Sequence, residues 1–330
     1  MSEMTAKRVQ RTEDVDAGVR YGAERRGDHP ITLIGVPYHL GHRGVSMGKG
    51  PGVVLAPDAV PKTLIAEGVD VDIRWVDLDE PDYHDPELDE LDQMGRYRAH
   101  AKRIAKLVNE ARRAGRFPVV VAGNCSSSIG VVSGIADDGI GMIWLDAHPD
   151  THTPESSPSG LFEGMPVAVI AGRCWKTWRE RIPGYSEIPI ERILMVGDNE
   201  YYADVPPALG DAARPISAVV DPPRIHRLGF DMALAEALDE LAKRARRVYL
   251  HIDTDVVDPK EAEASIYAAP GGLSVLQVLE TIEMVQKKFS LEAISFSSYD
   301  PDVDPRMKRV ACELVAAAAR AGNVQAWTGT

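Results

Sequence analysis

The stretch 144-WLDAHPDTHTP-154 closes the apolar run 139-GIGMIWL-145 and sets Asp146, His148 and Asp150 two residues apart. In an extended chain, residues i, i+2 and i+4 point to one face, so this spacing predicts that the three side chains converge at the end of a strand. Two carboxylates and an imidazole brought to one point make a metal site the natural reading. A second acidic segment, 249-YLHIDTDVVDP-259, repeats the pattern with His251, Asp253 and Asp255. Asp258, before Pro259, reads as a turn or cap residue. A lone Asp-x-Asp is weak evidence, because most such pairs are caps or solvated charges; two of them on separate strands are far more specific. Oxygen ligands with one imidazole suit Mn²⁺, and bridging carboxylates suit a two-metal site that activates water.

Outward from these segments, β-rich runs recur at 31-ITLIGV-36, 73-IRWVDL-78, 118-PVVVAG-123, 140-IGMIWL-145, 192-RILMVG-197, 247-RVYLHI-252 and 293-AISFSS-298. Helical periodicity fills the intervals 87–115, 231–246, 274–288 and 305–321. In the first, Leu88, Leu91, Met94, Ala101, Ile104, Ala105 and Val108 fall at helical spacings before Gly115. Ser274 and Gln277 form a capping box. Alternating strands and helices predict a mainly parallel sheet covered on both faces, with function at the carboxyl ends of its strands. Those ends carry Asn124, Cys125, Asp146, Asp253 and Asp255.

The 330 residues show no boundary between two domains, so residues 31–330 read as a single domain behind a partly ordered, charged arm over 1–30. With 37 basic and 50 acidic residues, the net charge of -13 argues against a broad grip on nucleic acid. No apolar run is long enough for a membrane span. Three scattered cysteines and no signal-peptide pattern lead to the expectation of a cytoplasmic protein.

The sequence resembles the arginase and agmatinase family of ureohydrolases, which hydrolyse guanidino groups with two Mn²⁺ ions. The likeness is carried by 144-WLDAHPDTHTP-154, 159-SGLFEGMP-166, 251-HIDTDVVDP-259 and 270-PGGLS-274, and extends from 31-ITLIGVPY-38 through 41-GHRGVSMGKGP-51 to about residue 301. It implies a three-layer α/β/α fold. It also implies that Asp146 and Asp253 bridge two metals, that Asp150 completes one site, and that His148 and Asp255 complete the other. Trimers or hexamers are common in the family, so a homotrimer or homohexamer is implied.

Several positions depart from the family pattern. Cys125, in 122-AGNCSS-127, stands where a histidine ligand is usual; it is either a softer ligand that tilts the site toward Zn²⁺ or a small packed hydrophobe. His251 replaces a serine, and reads as a ligand, a partner of a ligand, or a buried hydrogen-bonded histidine. Glu163 aligns with the family's proton-shuttling histidine, and should stay ionised beside two cations, with His152 a nearby alternative for moving the proton. His152 and Leu161 change two positions that hold an amino-acid carboxylate, while Ser159 is retained. Ser298 stands where a glutamate binds the guanidinium, and Asp300, Asp302 or Asp304 is left to supply that charge. The resulting expectation is hydrolysis of a nonpeptide C–N bond in a guanidino, hydroxyguanidino or related amidine compound, by metal-activated hydroxide that Asp255 orients. The alternatives are a single-metal amide or formimino hydrolase and a noncatalytic homologue with a structural or regulatory role.

Overall fold

Strand runs with no polar face need cover on both sides, and the computed structural model supplies it. It describes residues 19–21, 29–77, 93–199 and 218–324. Its strands are β1 (Val19–Tyr21), β2 (Ile31–Val36), β3 (Tyr38–His39), β4 (His42–Arg43), β5 (Val71–Trp75), β6 (Phe117–Ala122), β7 (Gly141–Leu145), β8 (Ile193–Val196), β9 (Ala218–Val220), β10 (Arg247–Asp253) and β11 (Ser290–Ser297). Nine of these form one sheet in the order β1-β5-β2-β6-β11-β10-β7-β8-β9, and β3 and β4 form a small hairpin. Seven of its neighbouring pairs run parallel, and β1 alone in this sheet pairs antiparallel, on β5.

Alternate residues of one strand enter two separate cores. Val119, Val121, Ile143, Leu145, Leu250 and Ile252 pack beneath the helices Phe230–Ala242, Val275–Lys288 and Pro305–Asn323. Val120, Ala122, Met142, Trp144 and Tyr249 pack against Gln93–Arg113, Ser127–Ile135 and Pro166–Ile170 on the other face. Two helical layers on one sheet are the three-layer α/β/α arrangement that the alternation and the resemblance led us to expect. The Ser274–Gln277 capping box is formed in both directions. Among the described residues, no helix is long and apolar enough to cross a membrane.

Local departures from the expected elements have physical reasons. The strand read at 73–78 is Val71–Trp75, with residue 78 outside the described residues. The helix read over 87–115 is described from Gln93, and Leu88 and Leu91 lie outside the described residues. The helix read to 246 stops at Ala242, where three basic residues precede β10. β1, within the charged arm, and β9 are three-residue edge strands, too short for periodicity to reveal.

Topology sets the site. β6, β11, β10 and β7 are adjacent, yet the chain leaves β6 and β7 toward one face and β10 and β11 toward the other. Connections that diverge in this way open a crevice at the carboxyl ends of the strands. The β3–β4 hairpin closes over it through Leu40 N–H, which donates to Asn124 Oδ1 at 3.0 Å. Gly123 makes that approach possible: a Cβ there would lie 2.2 Å from Tyr38 O and 2.9 Å from Gly48 Cα.

Candidate metal centre

The crevice holds a cavity of about 310 Å³ lined by Cys125, Asp146, His148, Asp150, His152, Ser159, Glu163, Asp253, Asp255 and Ser298. Of the residues singled out in the sequence, His251, Asp300, Asp302 and Asp304 are missing from that lining. The Asp300 carboxylate accepts from Ser46 Oγ at 2.6 Å and Asp302 N–H at 3.0 Å. Asp302 pairs with Lys49, and Asp304 caps the last helix by accepting from Arg306 N–H. In the metal-free structure this aspartate-rich turn uses its charges to hold the loop and start the helix.

Convergence arises differently from the expected strand alternation. β7 ends at Leu145, so Asp146, His148 and Asp150 leave a strand end and enter a bend, and Asp150 adopts a left-handed φ of 49°. Its carbonyl is fixed there by Val167 N–H at 3.0 Å, at the start of the helix Pro166–Ile170. His251 and Asp253 do share a face of β10, but Asp255 lies in the single 3-10 turn Thr254–Val256. That turn is set by Asp255 N–H donating to Asp253 Oδ1 at 2.9 Å, and Ala147 N–H donates to Asp255 Oδ1 at 3.3 Å. Asp258 serves as the turn residue foreseen, accepting from Lys260 N–H at 2.9 Å and Gly271 N–H at 3.2 Å.

Two donor groups result. Cys125, Asp146, His251 and Asp253 each place a ligand atom within 4.8 Å of the others, and Asp146, His148 and Asp255 do the same. Asp146 belongs to both. His148 Nδ1 lies 3.1 Å from Asp255 Oδ2 and 3.4 Å from Asp146 Oδ1. The Cys125 thiol faces inward, donating to Asp253 Oδ2 at 2.7 Å and lying 3.1 Å from Ser297 Oγ. Ser298, at a left-handed φ of 67°, donates its hydroxyl to Asp253 Oδ2.

The electrostatics fit cations. Burial and the charges of Asp253 and Asp255 push Asp146 well above the usual carboxylate range; burial and Asp146 do the same to Asp150. Asp253 is lifted to about 7 by burial and then by Asp255. Burial also presses on Asp255, but the adjacent His148 imidazole outweighs it and holds the carboxyl below its ordinary value. Burial and nearby Asp253 raise the Cys125 thiol. Asp150 Oδ2 is buried without a hydrogen-bond partner among the described residues. Packed carboxylates and an unpaired buried oxygen are costly without a positive charge between them.

In the metal-free protein burial raises Glu163 to about 7, although Ser126 N–H and Oγ donate to its oxygens at 3.2 and 3.1 Å. His152 is tied to the same wall, its N–H donating to Gly164 O at 3.0 Å and its Nδ1 lying 3.5 Å from Ser156 Oγ. Ser159 Oγ accepts from Leu161 N–H at 3.2 Å. Sequence reasoning missed His39, Leu40, Met47 and Tyr267, which also line the cavity. It missed Trp144 too, whose Nε1–H donates to Asp146 Oδ2 at 2.9 Å. The run 37-PYHLGH-42 offered only an unusual pair of histidines as a signal.

A parallel sheet whose carboxyl edge carries two donor groups sharing an aspartate defines the chain as an α/β metallohydrolase. More narrowly, it belongs to the arginase family, whose model matches residues 29–320, and it is an enzyme of the ureohydrolase type. It is 29% identical over 295 residues to an arginase of Bacillus caldovelox, covering 84% of this chain and 93% of the relative. An arginase of Bacillus subtilis strain 168 is 29% identical over 299 residues, covering 87% and 97%. The solved structure of arginase from that organism superposes with a TM-score of 0.74 at 27% identity, over 88% of this chain and 98% of the other.

Proposed function

We propose that this protein hydrolyses a C–N bond of a guanidino, hydroxyguanidino or related amidine compound, using two divalent cations, with Mn²⁺ the first candidate. The observation that carries the proposal is the pair of donor groups sharing Asp146 at the floor of a substrate-sized cavity. Asp146, Asp253, His148 and Asp255 would hold the ions, together with Cys125 and Asp150. Bound cations supply the Lewis acidity that activates water and offsets charge on a tetrahedral centre.

The protein's own groups do the rest. Asp255, fixed by Ala147 N–H and His148, presents a carboxylate that stays ionised near neutral pH and orients a water through its free lone pairs. The departing amine needs a proton. Glu163 lines the cavity with an ionisation raised to about 7, which suits a group that gives and takes protons near neutrality; His152 is the other candidate. Ser159 and Ser298 remain candidates for contact with substrate, although Ser298 spends its hydroxyl proton on Asp253.

No Lys or Arg lines the cavity among the described residues, whereas Leu40, Met47, Leu161 and Tyr267 do. This favours a substrate without a free amino-acid carboxylate over L-arginine. We also propose a homotrimer or homohexamer working in the cytoplasm, on the family resemblance. The test is release of urea or ammonia from a panel of guanidines, hydroxyguanidines and amidines with Mn²⁺ added. Turnover by the wild type and its loss in Asp253→Ala support the reading; no turnover of any panel member overturns it.

A further inference from the structure

We propose that His251 is a metal ligand and that, with Cys125, it makes the first cation site a soft site for zinc or cobalt beside a hard second site. This rests on reading the cluster as a cation centre, as above. The family resemblance completed the first site with Asp150, beside Asp146, Asp253 and the position of Cys125. In the structure the compact set is instead Cys125, Asp146, His251 and Asp253, all within 4.8 Å of one another and each at most 6% exposed. Donors at zinc distances of 2.0–2.3 Å in a tetrahedron sit about 3.3–3.8 Å apart, so a small contraction around an ion satisfies all four.

The ring of His251 is held as a ligand's ring is held. Its Nδ1 lies 2.8 Å from Ser295 Oγ, 3.0 Å from Ser128 Oγ and 3.3 Å from Tyr249 Oη. Its Nε2 faces the opposite way, 3.3 Å from Ser297 Oγ, and that same hydroxyl lies 3.1 Å from Cys125 Sγ and 3.2 Å from Asp253 Oδ2. One nitrogen is thus anchored among hydroxyls while the other looks into the cluster. Such an outer partner fixes the tautomer and aims the lone pair of a ligating histidine. Trp144 reinforces the arrangement twice: its ring stacks on His251 with centroids 3.8 Å apart, and its indole N–H holds Asp146. Independently, the unpartnered Asp150 Oδ2 sits in a residue only 7% exposed on the wall of the same cavity.

Thiolate and imidazole on one ion favour zinc or cobalt over manganese, while His148 with Asp146 and Asp255 offers mostly oxygen. The protein would then hold two unlike ions. The test uses the full-length protein, stripped by chelation and loaded with one equivalent of Zn²⁺ or Co²⁺. X-ray absorption of the zinc form should show one sulfur near 2.3 Å together with nitrogen and oxygen donors, and the cobalt form should show a thiolate charge-transfer band that Cys125→Ser abolishes. His251→Phe keeps an aromatic ring to stack on Trp144 and removes both ring nitrogens, the donor atom together with its anchor among the hydroxyls. It should weaken first-equivalent zinc binding at least tenfold and leave the second equivalent unchanged. A zinc shell without sulfur, or His251→Phe affinity within twofold of wild type, overturns the proposal. Because these readouts do not involve turnover, they are separate from success or failure of the urea-release panel.

Discussion

Replacing Asp253 by asparagine should stabilise the metal-free protein and remove the share of its stabilisation by metal that comes from the Cys125, Asp146, His251 and Asp253 group. Asp253 is 2% exposed, and its carboxyl rises from 3.8 to about 7 because of burial and Asp255. A carboxyl raised in the folded state contributes no penalty below 3.8, where both states are protonated. Its ionisation opposes folding progressively between 3.8 and about 7, and fully above that. The ceiling of this penalty is about 4 kcal/mol. Asparagine removes the charge while its Oδ1 can still accept from Asp255 N–H, and the Ser297 and Ser298 hydroxyls can turn to accept from its amide. Allowing for coupling to Asp146, a gain of about 2–4 kcal/mol remains, roughly 4–8 °C in Tm at about 2 °C per kcal/mol. Thermal melts in chelator at pH 8 should show that gain, and at pH 3.5 it should vanish. Adding a divalent ion at about 100 times its Kd should then stabilise the wild type by about 2.7 kcal/mol, or about 5 °C, for each site filled, and the variant only through the group Asp146, His148 and Asp255. A variant less stable than wild type in chelator at pH 8, or one stabilised by metal as strongly as wild type, would refute the reasoning.

Other perturbations have equally definite outcomes. Cys125→His should raise Mn²⁺ affinity at the first site, measured by calorimetry, because imidazole suits that ion better than thiolate. Asp255→Ala should remove one ion per chain, whereas Asp146→Ala should remove both, as metal analysis after dialysis would report. If Glu163 donates the proton, kcat/KM should fall as pH rises through its ionisation, and Glu163→Gln should lower activity about 10²–10⁴-fold and erase that limb. L-Arginine should be turned over with kcat/KM below roughly 10⁴ M⁻¹s⁻¹, the low end for ordinary enzymes. Gly123→Ala should cost about 1–3 kcal/mol in denaturant unfolding, since its Cβ would strike Tyr38 O and Gly48.

The central architecture was legible because parallel strands buried on both faces write themselves as unbroken apolar runs; β2, β6 and β7 are buried at every residue. Asp146, His148, Asp253 and Asp255 were legible because each follows such a run, and their spacing survives a change of local conformation. What was hidden depends on contacts far apart in sequence. Asp300 looked free to meet a substrate because its partner, Ser46, lies 254 residues away. Trp144 looked like core, and is core, but its N–H reaches Asp146 just past the strand end. The aim of His251 depends on Ser128 and Ser295, which lie on a helix and a strand that no local pattern links to β10.

The most direct test of the two-cation centre is metal stoichiometry by plasma emission on wild type and Asp146→Ala, each stripped, saturated with divalent metal and dialysed. The shared-aspartate geometry predicts close to two ions per chain in the wild type and close to none in the variant. A wild type that retains no metal, or a variant that still retains two, would contradict it.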